Sequence, residues 1–225
     1  ISRCFNNGTV AGNKAYMGGI AAYMLNYAEI TDCGNGGTME SDGGNYIGGI
    51  IGSLHSRSDD VTVVQSCYNR GDIRAQGRYI GGISGSSEAN TSIKDCDNEG
   101  KVIGKDYTGG ISGNFTGQKL ERCYNFGRVE GANRAGGIVG NFKGEALSIC
   151  YNTGSVVGTN LVGGIVGKVE ESGRDIVKSC YNTGNVSGTA SGAKAGGITG
   201  ENHFSRSGGG WDGSPEVRKP ESGVS

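Results

Sequence analysis

Between Cys150 and Gly167 the chain reads CYNTGSVVGTNLVGGIVG: a cysteine, then Tyr and Asn, then a glycine-rich turn of the kind that cradles phosphate. One such stretch would suggest a site, but this one has relatives. All seven cysteines head a version of it: CFNNGTV at Cys4, CGNGGTM at Cys33, CYNRGDI at Cys67, CDNEGKV at Cys96, CYNFGRV at Cys123, CYNTGSV at Cys150 and CYNTGNV at Cys180. Each is followed by Gly-Gly-Ile, ending in Ile20, Ile50, Ile83, Ile111, Ile138, Ile165 and Ile198. Cysteine and triplet alternate strictly with a repeat of 27 to 34 residues. A fixed period in that range marks a solenoid, propeller or array.

Counting from Cys as zero, position minus three is always aliphatic (Ile1, Ile30, Val64, Ile93, Leu120, Leu147, Val177). Plus two is always Asn: Asn6, Asn35, Asn69, Asn98, Asn125, Asn152 and Asn182. Plus four is always Gly, and plus six is apolar, from Val10 and Met39 to Val186. Residues between these positions vary and are mostly polar. Such a pattern describes a small core with solvent around it.

The chain has 225 residues, 46 Gly and 2 Pro, with 34% hydrophobic residues, 19% charged residues and a formal net charge of −1. That hydrophobic fraction is thin for a compact globule, but a solenoid buries only a few side chains per repeat against its neighbours. Near-neutrality argues against nucleic acid as a partner, and the short apolar runs argue against membrane insertion of this segment. Ile1 already lies inside a repeat and no signal peptide opens the chain, so the expectation is a piece of a longer protein with neighbouring domains. Residues 205–225 carry both prolines and the one Trp, without Cys or Gly-Gly-Ile. They read as a linker or partial cap after repeats spanning 1–204.

Glycine throughout each repeat disfavours helix by about 1 kcal/mol per residue against Ala. Short β-branched runs between Gly and Asn turns instead predict strands. In the Cys150 copy these are Leu147 to Tyr151, Ser155 to Val157 and Gly164 to Val166. Three strands suit 27 residues; a propeller blade needs roughly 40 to 50. The predicted fold is therefore all-β: a parallel β-solenoid (β-helix) of about seven coils, three short strands per coil, with like residues stacked. Four inward ladders are expected: the aliphatic residue, Cys, the plus-six residue and the triplet Ile. A bulge or corner is expected between minus three and Cys. The Asn should hold a tight turn and bond its stacked copies, and the plus-four Gly should adopt positive φ. The odd number of cysteines in one ladder favours buried free thiols over disulfides or a metal site.

The unit C-Y-N-T-G-x-V-x-G followed by V-G-G-I-V-G resembles the GLUG motif, here with Ile165 in the Leu place, and the resemblance covers about residues 1 to 204. It departs at Gly34 and Asp97, which replace the aromatic after Cys. The family's repeats occur in large secreted or surface-anchored bacterial proteins, among them IgA1-cleaving metallopeptidases and adhesins. The resemblance thus implies an extracellular, bacterial cell-surface or secreted location. It implies a non-catalytic spacer with an adhesive surface for a host protein or glycan or, alternatively, a substrate-positioning domain of an IgA1-peptidase-like enzyme. It transfers no catalytic residue, because His-Glu-x-x-His is absent, and no cofactor or metal is expected.

Candidate binding residues lie where copies differ. Arg70, Gly71 and Asp72 spell RGD on a predicted turn, although Gly71 is the repeat's own plus-four Gly. Tyr16, Tyr46, Tyr79 and Tyr107 precede Gly-Gly-Ile by two residues, while Tyr68, Tyr124, Tyr151 and Tyr181 follow Cys. An exposed stack of either kind would suit sugar rings or a partner's loop, and packing along the wall is the commoner role. The longest insertion, between Gly48 and Cys67, contains Asp59 and Asp60, whose charges read as solvated.

Overall fold

A computed structural model describes residues 1–13, 15–56, 60–170 and 176–203. The 205–225 linker and Asp59 lie outside the described residues. The fold is a right-through stack of seven coils in which every strand pairs in parallel with its equivalent one repeat away. The held positions stack on one another: Ile30, Val64, Ile93, Leu120, Leu147 and Val177 form one row. At the usual strand separation of about 4.8 Å, seven coils make a rod roughly 34 Å long.

Each coil carries five strands rather than the three expected. In the Cys150 coil they are Ala146–Ser148, Tyr151–Asn152, Val156–Gly158, Leu161–Gly163 and Val166–Val169. They contribute to five sheets, four of seven strands and one of six, with Ser2 bridging Thr31 in the first coil. The run from Leu147 to Tyr151 is split by a left-handed residue immediately before Cys. Arg3, Asp32, Ser66, Asp95, Arg122, Ile149 and Ser179 all have φ between 51° and 54°. This is the corner between minus three and Cys, and it lets both side chains point inward. Holding a non-Gly residue there costs roughly 1–2 kcal/mol. The peptide N–H groups of these residues offset part of that by donating to the next coil, as from Asp95 to Glu121 O at 3.2 Å and from Ile149 to Lys178 O at 3.1 Å.

Two cores run the length of the rod. The larger contains the aliphatic row, Cys33, Cys67, Cys96, Cys123 and Cys150, the triplet Ile of the five inner coils, and Leu54, Phe115 and Phe142. The smaller contains the plus-six row and the residue before Gly-Gly, as in Ile47 and Ile80, and it is divided near Thr108, a buried Thr standing where neighbouring coils have Ile80 and Ala135. The chain crosses from one core to the other at the Asn on one wall and at Gly-Gly on the opposite wall. There the coil pinches, so that the second glycine abuts the Asn of the next coil, Gly110 against Asn125 and Gly137 against Asn152.

The Asn residues accordingly do not hold left-handed turns. They sit in strands, and the five inner copies are fully buried. Each Nδ2 donates to the carbonyl of its own plus-four Gly and, in every coil but the last, to the Oδ1 of the Asn in the next coil. Asn69 reaches Gly71 O at 2.8 Å and Asn98 at 2.8 Å; Asn125 reaches Gly127 O and Asn152, both at 2.7 Å. Six such bonds run from Asn6 to Asn182 in one direction.

Nor do the plus-four glycines need positive φ; among the described glycines only Gly192 has it. A side chain is excluded by stacking instead. A Cβ on Gly71, Gly100, Gly127 or Gly154 would overlap the carbonyl oxygen of the same glycine one coil earlier.

Each cysteine thiol donates to the carbonyl two residues before it, from Cys96 to Lys94 O at 3.0 Å and from Cys150 to Ser148 O at 3.2 Å. Burial, with the adjacent thiols, pushes Cys123 well above the ordinary thiol range. All seven are free; Cys4 is exposed and Cys180 half-buried because the end coils cover one side only. The same end effect leaves Ile20 partly buried and Ile198 exposed. A thiol reagent is expected to modify Cys4 and Cys180 on the native chain and the other five only after unfolding. Counting labelled cysteines by mass spectrometry with and without denaturant checks this.

Candidate functional site

Residues engaged in stacking are unavailable to a ligand, so binding chemistry has to come from the outward rows. The first is the tyrosine row. Tyr16, Tyr46, Tyr79 and Tyr107 all have positive φ, from 52° to 64°, an unusual conformation for bulky aromatic residues. The four consecutive copies that adopt it align their rings, with centroids 4.8 to 4.9 Å apart and planes within 19° of each other. Arg134 occupies the equivalent position in the fifth coil, where its guanidinium lies 4.6 Å from the Tyr107 ring centre and pairs with Glu170 at 2.6 Å. Arg78 flanks the row, 5.3 and 5.1 Å from the Tyr79 and Tyr107 centroids. Burial and the neighbouring phenols hold Tyr46 above its ordinary pKa.

This row packs along the wall. Sugars stack on ring faces, and here each inner face is covered by the next ring. Tyr16, at the end of the stack, is 41% exposed but meets Tyr23 edge-on at 5.1 Å.

The second aromatic row is interrupted. Tyr124, Tyr151 and Tyr181 stack at 4.3 and 5.0 Å, and Phe126 meets Tyr151 edge-on. Tyr68 lies across Gly34 toward Phe5, with ring centres 6.3 Å apart. With no side chain at Gly34, the Tyr68 ring occupies the space that an aromatic there would fill. In the fourth copy Asp97 breaks the row, and burial together with the Glu99 charge raises its pKa.

RGD lies in the wall itself. Gly71 is buried against Gly37, and the Arg70 N–H donates to Asn35 O at 2.7 Å. The Arg70 guanidinium covers the Tyr68 ring at 4.5 Å and pairs with Glu99 at 3.3 Å, a hydrogen bond that holds it above its ordinary pKa. Asp72 accepts from Arg74 and from the Lys101 N–H, both at 3.0 Å. Arg70 and Asp72 are thus both engaged within the solenoid, and the tripeptide does not project as a loop.

A charged depression near the last coil was not legible in the repeat pattern. Lys143, Lys168, Glu170 and His203 line it, with Lys168 lying between Glu170 at 3.7 Å and Glu201 at 3.9 Å. These residues come from coils whose copies share no charged signature, so no sequence alignment of repeats points to them. Among the described residues no group of three or more His, Cys, Asp or Glu is placed to hold a metal. No described helix is long and apolar enough to cross a membrane.

No family model and no solved structure matches the chain. A stretch of 75 residues, 33% of the chain, is 35% identical to Halomucin of Haloquadratum walsbyi, of which it covers 1%. The similarity thus extends over a third of the chain and about one hundredth of the length of that protein.

Proposed function

We propose that this chain is a rigid, non-catalytic spacer in a far longer cell-surface or secreted protein. The observation that carries the reading is the unbroken register: the held residues of the repeat stack in sequence order through all seven coils, and their side chains are used in holding one coil to the next. The similarity to a protein named as a mucin, of which the matched part is 1%, supports a surface setting, as does the GLUG-like repeat. An adhesive surface for a host protein or glycan would use the copy-variable outward positions. Arrays of glycans and surface proteins probed with the chain test that half; no binding leaves the spacer alone.

A coil deletion tests the spacer. Removing residues 120–146 joins Lys119 to Leu147, which is register-compatible because Lys119 and Ala146 are stacked partners. The distance between fluorophores on the first and last coils is expected to fall by about 4.8 Å with the fold retained. A folded deletion variant of unchanged length would sink the rod reading.

A further inference from the structure

Four Asn-x-Ser/Thr tripeptides, the acceptor pattern for N-linked glycan, occur in the chain: Asn7-Gly8-Thr9, Asn90-Thr91-Ser92, Asn114-Phe115-Thr116 and Asn185-Val186-Ser187. The wall treats them in opposite ways. Thr91 and Ser92 are buried, the Thr91 hydroxyl donates to Glu88 O, and Asn90 Oδ1 accepts from Gln118 at 3.3 Å. Asn114 donates to Ser86 Oγ at 3.2 Å and accepts from Asn141 at 3.0 Å. Its neighbour Phe115 is fully buried and stacks on Phe142. Presenting either tripeptide to an enzyme would mean pulling core residues out of the rod.

The other two are accessible. Asn7, Gly8 and Thr9 are exposed, as are Asn185 and Ser187. They flank the plus-four Gly, at plus three and plus five, on the same edge of the solenoid. At plus three the exposure belongs to the row; at plus five the inner residues Thr38, Asp72, Lys101 and Ser155 are half-buried and Arg128 is exposed, so Asn185 owes part of its exposure to the last coil. At plus three Gly36, Arg70, Glu99, Phe126, Thr153 and Thr183 are all exposed. At plus five the side chains of Asp72 and Arg128 keep 38% and 48% of their surface although coils lie on both sides.

We propose that Asn7 and Asn185 are N-glycosylation acceptors, set at opposite ends of one edge, six coil steps or about 29 Å apart. In the transfer, Nδ2 of the asparagine forms a bond to C1 of an oligosaccharide carried on a polyprenol diphosphate. The C1–O bond to the phosphate breaks, the diphosphate leaves with the electron pair, and the amide gives up one proton. Two bulky, hydrated groups would then stand over this edge and shield the rows between them. The inference rests on the surface or secreted reading, because such donors serve exported chains.

The test uses the folded full chain with a purified oligosaccharyltransferase, its polyprenol-diphosphate oligosaccharide and site mapping by mass spectrometry, with synthetic peptides of all four tripeptides as controls. All four peptides should accept. The folded chain should gain glycan at Asn7 and Asn185 only, and Asn7→Gln and Asn185→Gln should each remove one. No transfer to the folded chain under conditions where the peptides react, or equal occupancy of Asn90 and Asn114, overturns the proposal. Neither result bears on the coil-deletion length, so failure here and failure of the spacer reading are separable.

Discussion

Asn125→Ala is expected to destabilise the chain by about 3–5 kcal/mol, because each buried polar group left without a partner costs roughly 1–3 kcal/mol. Asn125 sits midway in the amide ladder, fully buried. It accepts from Asn98 at 2.7 Å, and donates to Asn152 and to Gly127 O at the same distance. Alanine removes all three bonds at once. One N–H of Asn98 and the Oδ1 of Asn152 are stranded between two apolar cores where water cannot replace the lost partner, and a cavity remains beside Gly110. Asn6→Ala is the control, since Asn6 is only half-buried in the first coil and makes its ladder bond on one side. It should cost about 1 kcal/mol. Urea unfolding followed by circular dichroism reads both. Equal losses for the two variants would show that the ladder's burial is not what makes it stabilising.

Gly127→Ala is expected to cost about 3 kcal/mol or more, at or beyond the upper end of what overpacking usually costs. The added methyl would overlap the Gly100 carbonyl and come within 3.0 Å of Asn98 Nδ2. The obstructing atoms are backbone, so no rotamer change relieves the clash. Coils four and five would have to separate, weakening five sheets together. Gly8→Ala places the same methyl at the same repeat position with no coil beneath it, where it meets Asn6 Oδ1 at 3.7 Å. That variant should be near neutral. If Gly8→Ala were as damaging as Gly127→Ala, a backbone preference for glycine would be responsible and stacking would not.

The contrast between those two glycines shows what a repeat pattern leaves hidden. Both occupy one aligned column, and a positive φ is the ordinary explanation for invariant glycine in a turn. Only the next coil reveals that the column is a line of contacts too close for Cβ. Left-handed residues recur elsewhere, at the four stacked tyrosines and immediately before each Cys, where Arg, Asp, Ser and Ile alternate and composition gives no signal. That same hidden corner divides one expected strand into two and accounts for part of the difference between three strands and five. The tyrosine rows were visible as columns, but whether their faces were free depended on the ring planes, which stacking set parallel. RGD was visible as a tripeptide, yet its availability depended on Glu99 and Lys101 in the following coil.

By itself the sequence determined the parallel solenoid, the number of coils and the register in which they stack, because a repeat with apolar residues at constant offsets can bury them all only by placing each copy over the last. The tertiary structure alone decided that the coil pinches into two cores, that Asn spans the pinch and that glycine is required there. It also decided which outward residues remain free. Those outcomes depend on distances between one coil and the next, and such distances are not encoded in any single repeat.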